Sequence, residues 1–329
     1  MVKNLFLITG GCGFIGINLI RKLKKSNKNI KIRVLDNESG GNIKDLAQVS
    51  EIDSNLENTN SDSVTFCKGD IRDLQTCKNV TYGVNSVIHL AANTGVLTSI
   101  NDPIKDLNSN VIGTLNMLES SRINKIDKFI FSSSGAPLGS AKAPIHELVT
   151  PMPVSPYGSS KLAGEAYCSS YFYSYDLKTI VLRFSNVYGP NSYRKTNIIP
   201  NFINKALKNV NCEIFGDGNQ SRDFLYIDDL LDGILKSINL PEGGHLIHLA
   251  SGIETSVNEI VSKLNTHLTQ YAGINIKFTH IPEKKGEVRR SFSNIDKAKS
   301  VLNWKPQTGL DDGIKETIKY FLKFSNENM

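Results

Sequence analysis

Leu5-Phe6-Leu7-Ile8-Thr9, followed by Gly10-Gly11-Cys12-Gly13-Phe14-Ile15-Gly16, decides the fold of this 329-residue chain. The first stretch is a short apolar run of strand length. The glycines read as a turn, and residues 15–25, with Leu19, Ile20 and Leu23 on one side, read as an amphipathic helix. Strand, glycine turn and helix in that order place backbone N–H groups at a helix N-terminus, where they and the helix dipole hold phosphate. Gly10 then permits the tight turn, Gly13 lets the backbone approach a pyrophosphate, and Gly16 allows the helix to pack closely on the strand. A glycine turn also serves as a plain conformational device in any α/β protein, so the acid that follows it matters. Asp36 ends the next strand, Ile32-Arg33-Val34-Leu35, where a carboxylate accepts hydrogen bonds from the adenosine ribose and repels a 2′-phosphate. NAD is therefore expected over NADP. Asp70, in Gly69-Asp70-Ile71, is similarly placed to meet the adenine, although aspartate there also suits a helix cap.

Working outward, apolar stretches of strand length recur at 31–35, 64–67, 86–90, 129–131 and 179–183, with helical segments at 104–123 and 156–175. Strand and helix in alternation, with strands apolar on both faces, predict a Rossmann-type, doubly wound parallel sheet of the α/β class. After Gly189 the elements shorten: a helix at 199–208, a strand at 213–215, a helix at 227–238, and a strand at 246–250 that returns to the main sheet. The expected organisation is a dinucleotide-binding domain of residues 1–182 and 224–258, with a smaller α/β substrate-binding domain of residues 183–223 and 259–329. Residues 37–62, rich in Asn, Ser, Gly and Asp, read as an extended loop with at most a short helix.

Hydrophobic residues make up 40% of the chain and charged residues 21%, which is ordinary for a globular protein with a sizeable core. The net charge of +6 comes from dispersed lysines. The dense cluster Arg21-Lys22-Leu23-Lys24-Lys25 reads as a solvated helix face, and no motif supports nucleic-acid binding. The five cysteines, Cys12, Cys67, Cys77, Cys168 and Cys212, are scattered and form no C-x-x-C pair, so they are expected as free thiols with no metal site. No signal peptide or apolar run of spanning length is recognisable, and a cytoplasmic location with no membrane contact is expected.

The sequence resembles the extended short-chain dehydrogenase/reductase family, in particular its nucleotide-sugar epimerases and dehydratases. The resemblance rests on the glycine turn, Leu35-Asp36-Asn37, Gly69-Asp70-Ile71, His89-Leu90-Ala91-Ala92, Ser132-Ser133-Ser134, and Ser155-Pro156-Tyr157-Gly158-Ser159-Ser160-Lys161. It extends through Arg183-Phe184-Ser185-Asn186-Val187-Tyr188-Gly189-Pro190 and Arg222-Asp223-Phe224-Leu225-Tyr226-Ile227-Asp228-Asp229. It implies a homodimer built on the helices near 104–123 and 156–175. It assigns to NAD the residues Gly10, Gly13, Phe14, Ile15, Gly16, Asp36, Asn37, Asp70, Ile71, Leu90, Ala91, Ala92, Thr94, Asn110, Tyr157, Lys161 and Phe184. Ser134, Tyr157 and Lys161 take the catalytic roles.

Tyr157 and Lys161 are informative through their setting. Ser155 can cap a helix, Pro156 suits its first turn, and the tyrosine and lysine then lie one turn apart on one face. An ammonium near a phenol favours the phenolate, and the expectation is that it brings the phenol down towards neutrality so that Tyr157 can act as base. Ser134 would hydrogen-bond the same substrate oxygen. His89 is expected to be structural, a buried imidazole satisfied by backbone.

The residues after the serine separate the reactions. The resembling 4,6-dehydratases carry Asp-Glu there and the decarboxylases a Glu, whereas this chain has Gly135 and Ala136. Without a carboxylate, elimination lacks its proton-transfer groups, which favours reversible hydride transfer alone. The reading is an NAD-dependent epimerase inverting C4 of a nucleotide-diphosphate sugar, UDP-Glc/Gal or UDP-GlcNAc/GalNAc. The alternatives are a 4,6-dehydratase, an epimerase acting at another carbon or on a CDP- or GDP-sugar, and a non-catalytic NAD-sensing regulator. The resemblance assigns the sugar nucleotide to Ser134, Asn186, Asn197, Phe215, Arg222 and Ser291, the last as a gate for N-acetylated sugars. A salt bridge to Asp223 or Asp228 is the other reading of Arg222. Leu138 and Thr94 depart from the family's usual tyrosine and lysine, and the phosphate-binding cation is left open among Lys284, Arg289 and Arg290.

Overall fold

The structure, a computed structural model, describes residues 5–26, 29–56, 61–283 and 288–327. The chain forms two compact units: residues 1–139, 150–183 and 234–247, and residues 140–149, 184–233 and 248–329.

In the first unit the elements follow as β1 (Leu5–Thr9), α1 (Phe14–Ser26), β2 (Lys31–Asp36), α2 (Ile43–Ala47), β3 (Glu51–Asp53) and β4 (Ser63–Lys68). Then come α3 (Leu74–Thr81), β5 (Ser86–His89), α4 (Val96–Asn101), α5 (Pro103–Leu107), α6 (Gly113–Ile123), β6 (Lys128–Ser134), α7 (Pro156–Tyr175) and β7 (Lys178–Phe184). The sheet has eight strands in the order His245–Leu249, β7, β6, β5, β1, β2, β4, β3. Adjacent pairs such as β1 with β2 and β1 with β5 are parallel, and the order reverses beside β1, as in a doubly wound sheet. Leu7, Val87, Phe129, Phe131, Met117 and Cys168 are fully buried in one cluster, as expected of strands covered on both faces.

Two local departures from expectation matter. The helix expected over 104–123 is interrupted: α5 ends at Leu107, a π-helical turn runs through Asn108–Ile112, and α6 resumes at Gly113. A widened turn of this kind re-aims a side chain, and here it carries Asn110. Residues 37–62 hold, besides α2, the edge strand β3 in parallel register with β4; three residues are too few to show a periodic pattern.

In the second unit, strand Asn186–Tyr188 pairs in parallel with Phe224–Tyr226, and Cys212–Phe215 pairs with Phe278–Ile281. A three-stranded sheet orders Thr255–Ser256, Ser221–Arg222 and Arg290–Ser291. Helices Ile198–Leu207, Val257–Ala272 and Leu310–Glu327 pack around these strands. All five cysteines are free. Among the described residues no helix is long and apolar enough to cross a membrane, and no cluster of His, Cys, Asp or Glu could hold a metal.

Candidate active site

The glycine turn packs backbone closely on backbone at the start of α1. Gly10 sits at φ +72°, and a Cβ there would meet the Ala91 backbone nitrogen at 2.8 Å. A Cβ on Gly16 would meet the Gly10 carbonyl oxygen at 2.5 Å and the Gly11 Cα at 2.6 Å, so Gly16 packs on the turn itself. Gly13 donates to the Gly10 carbonyl at 3.1 Å, and α1 starts at the next residue. Phe14 is buried and Ile15 half-buried. At the end of β2, Asp36 is 8% exposed and accepts from the backbone nitrogens of Cys12 (2.9 Å) and Glu38 (2.7 Å). Burial pushes its carboxyl up, and these two bonds oppose the rise. Asn37 donates to Asp70 at 2.9 Å, and Arg72 grips Asp70 with two further bonds, which hold its carboxyl well below the usual range. The cap of α3 is Asp73, not Asp70. Ile71 is buried, Leu90, Ala91 and Ala92 half-buried, and Thr94 exposed. Phe184 is buried at the end of β7.

Helix α7 carries the tyrosine and the lysine. Ser155 caps α7 by accepting from Gly158 N–H at 3.1 Å, and Pro156 occupies the first turn. Tyr157 donates its backbone N–H to the Ser99 hydroxyl at 3.0 Å, and its phenol is hydrogen-bonded to Ser134. Ser134 Oγ in turn accepts from Ala136 N–H at 3.1 Å. Lys161 is 3% exposed, donates to the Ser132 carbonyl at 2.8 Å, and lies 6.0 Å from the Tyr157 ring centre. The expected lowering of the phenol is absent in the protein alone. Burial, with Asp106 adding to it, pushes Tyr157 up to about 12, and the bond from Ser134 opposes the rise. Lys161 is pushed down to about 8, chiefly by burial. Desolvation outweighs the attraction the sequence reading relied on.

Asn110 is held in place by the protein's own groups. It is 1% exposed, its Oδ1 accepts from Asn93 N–H at 2.7 Å, and its Nδ2 donates to the Asn93 carbonyl (2.9 Å), Asp106 (2.9 Å) and Ser160 (3.2 Å). His89 is structural, but threonine hydroxyls satisfy it, not backbone: Nδ1 meets Thr9 at 2.8 Å and Nε2 meets Thr114 at 3.1 Å. Fully buried, it is pushed down to about 3 by desolvation and then by Lys161. In the unfolded chain it takes up a proton below the ordinary histidine value near 6.5, which the folded protein refuses until about 3. Stability should therefore fall as pH drops through that window, by at most about 1.4 kcal/mol per unit. Urea unfolding midpoints from pH 7 to 4 check this, with a shallower slope expected for His89→Phe.

Sequence reasoning missed a buried ion pair behind the lysine. Glu165, one turn beyond Lys161, binds Arg183 Nε at 2.8 Å and Nη2 at 2.7 Å, and Ser133 donates to the same carboxylate at 2.5 Å. A charged residue inside an otherwise apolar strand was the available signal, since arginine is seldom buried without a partner.

In the second unit, Asn186 donates its backbone and side-chain nitrogens to the Asp223 carbonyl at 3.0 and 3.1 Å. Asn197 stands at the N-terminus of helix Ile198–Leu207 and donates to the Val187 carbonyl at 3.1 Å, while its buried Oδ1 has no hydrogen-bond partner. Phe215 ends its strand half-buried. Arg222 and Ser291 are register partners on adjacent parallel strands. The Asp223 carboxylate is committed to Ser251, at 2.7 and 2.8 Å, and to Gly252, at 2.9 Å. Arg289 pairs with Asp217 at 2.6 Å and Arg290 with Glu254 at 2.7 Å. Lys284 lies outside the described residues.

A family model described as the NAD dependent epimerase/dehydratase family matches residues 6–249. The chain belongs to the NAD-dependent epimerase/dehydratase family. NAD is the cofactor. A family member from Methanocaldococcus jannaschii, described as a putative UDP-glucose 4-epimerase, is 36% identical over 96% of this chain and 98% of its own. The UDP-glucose 4-epimerase of Thermotoga maritima, solved with UDP-glucose, superposes with a TM-score of 0.87 at 32% identity, covering 98% of this chain and 99% of that one. The dTDP-glucose 4,6-dehydratase of Streptomyces venezuelae, solved with NAD, superposes with a TM-score of 0.88 at 26% identity, covering 98% of each chain. The family thus spans both chemistries considered from sequence.

Proposed function

We propose that this protein is an NAD-dependent 4-epimerase of a UDP-sugar, UDP-Glc/Gal or UDP-GlcNAc/GalNAc. The observation that carries the reading is the local chemistry around Tyr157. Its phenol is bonded to Ser134 and lies one helical turn from Lys161, while the positions after the serine are Gly135 and Ala136. A Cβ on Gly135 would meet nothing within 4 Å, so crowding at that position does not impose the glycine. Proton transfer at C5 and C6 then has no group to perform it, and a 4,6-dehydratase is disfavoured.

NAD, when bound, accepts the C4 hydride and returns it. Lys161, 6.0 Å from the ring, favours the phenolate, and the positive charge of an oxidised nicotinamide would add to it against the desolvation that raises the free phenol. Tyr157 then takes the C4 hydroxyl proton as Ser134 holds that oxygen, and gives the proton back after the 4-keto sugar has turned over. Lys161 holds the phenolate charge and the nicotinamide ribose. The first unit is the dinucleotide-binding domain, and the second holds the nucleotide through Asn186, Asn197, Phe215 and Arg222. The buried, unpartnered Oδ1 of Asn197 supports this, because a ligand donor would satisfy it. The test is product NMR after incubation with a panel of UDP-, dTDP-, CDP- and GDP-sugars and no added NAD. A C4 epimer from a UDP-sugar supports the reading, and a product lighter by one water rejects it.

Ser291 admits the N-acetyl group in this reading. Ser291→Tyr should lower turnover of UDP-GlcNAc at least about tenfold relative to UDP-Glc, as for a group refused by a filled pocket; an unchanged ratio of kcat/KM removes the gate. A homodimer completes the proposal. Ile100, Ile104, Leu107 and Ile112 are 54, 66, 48 and 40% exposed along α4, α5 and the π turn, an apolar surface suited to a second copy. Light scattering of Ile104→Asp should then report a monomer.

A further inference from the structure

We propose that Asp106 is a positioning residue for this reaction, a buried carboxylate that fixes Asn110 and Ser160 and sets the field in which Tyr157 and Lys161 exchange protons. The inference rests on the reading of Tyr157 and Lys161 just given. Asp106 lies on α5 and is 1% exposed. A carboxylate is seldom buried without compensation, and here it accepts from Asn110 Nδ2 at 2.9 Å and hydrogen-bonds Ser160. Asn110 ties this cluster to the Asn93 backbone on both sides, so the π turn after α5 has a structural purpose.

The charges around the pair are few. The Tyr157 phenol is hydrogen-bonded to Ser134 on β6, its backbone N–H donates to Ser99 on α4, and Asp106 on α5 acts on the phenol electrostatically. Lys161 faces the Ser132 carbonyl and the Phe131 ring from β6, Glu165 and Cys168 on its own helix, neutral His89 from β5, and Asp106. Glu165 is neutralised by Arg183 at 2.7 Å. Among the described residues Asp106 is the acid that acts on both groups. Burial pushes its own carboxyl up while Ser160 and Lys161 oppose the rise, and its negative charge holds protons on phenol and ammonium alike.

Removing that charge should move both titrations the same way. In Asp106→Asn, which keeps the size and an acceptor, both limbs of the kcat pH profile should shift to lower pH by about one unit. A second readout needs no sugar nucleotide: the tyrosinate absorbance of NAD-loaded protein minus that of its Tyr157→Phe counterpart, titrated with and without Asp106→Asn. Its midpoint should fall in the variant and stay in place in Ser160→Ala, which keeps the charge while removing a hydrogen bond. Asp106→Ser serves the same comparison if the asparagine variant is unstable. An unmoved midpoint overturns the proposal, whatever sugar is turned over; a normal shift in a protein inert to every UDP-sugar would instead overturn the epimerase reading.

Discussion

Tyr157→Phe should lower kcat by about 10²–10⁴-fold, the usual worth of a positioned general base, while NAD content and substrate KM stay near those of the parent. The phenol is the group hydrogen-bonded to Ser134, and its backbone is held by the Ser99 hydroxyl and the Ser155 cap, so phenylalanine fills the same place without moving the helix. A fall in kcat at unchanged KM is the signature of an interaction needed in the transition state rather than in binding. Initial rates with whichever UDP-sugar the parent epimerises decide the matter. A loss under tenfold would transfer the base role elsewhere.

Glu165→Leu should destabilise the fold by about 3–5 kcal/mol, because it strands Arg183 in the interior without its carboxylate. The two side chains are 5% and 2% exposed, and Ser133 loses the acceptor it reaches at 2.5 Å. The paired change Glu165→Leu with Arg183→Leu should recover much of that loss, since an apolar pair in a buried site costs less than a lone charge. Urea denaturation of the NAD-free protein measures both. A single-variant loss under about 1 kcal/mol would mean that solvent reaches the pair. The same ion pair ties α7 to β7, and thereby fixes the helix that presents Lys161.

What the sequence made legible follows from how local each determinant is. The strand, turn and helix at 5–26 are specified by adjacent residues, and φ +72° at Gly10 is a demand that only a glycine meets without strain. Asp36 and the Ser155-Pro156 start of α7 are equally local. The π turn at Asn108–Ile112 was illegible, because it answers to the Asn93 backbone seventeen residues away. His89 found threonines on β1 and α6 in place of backbone for the same reason. The direction of the Tyr157 shift could not be read from spacing, since it depends on how much water the fold removes from the phenol. Arg183 and Glu165 are eighteen residues apart, and two charges in different elements reveal their pairing only once the sheet and helix are assembled.

The central claim is that hydride leaves and returns to C4 of an intact sugar nucleotide. Its most direct measurement is mass spectrometry and NMR of the product formed from UDP-galactose or UDP-N-acetylgalactosamine deuterated at C4, with purified protein and no added NAD. The account predicts the C4 epimer at unchanged mass, with deuterium still on C4. Loss of deuterium to solvent, or a product lighter by one water, would contradict it.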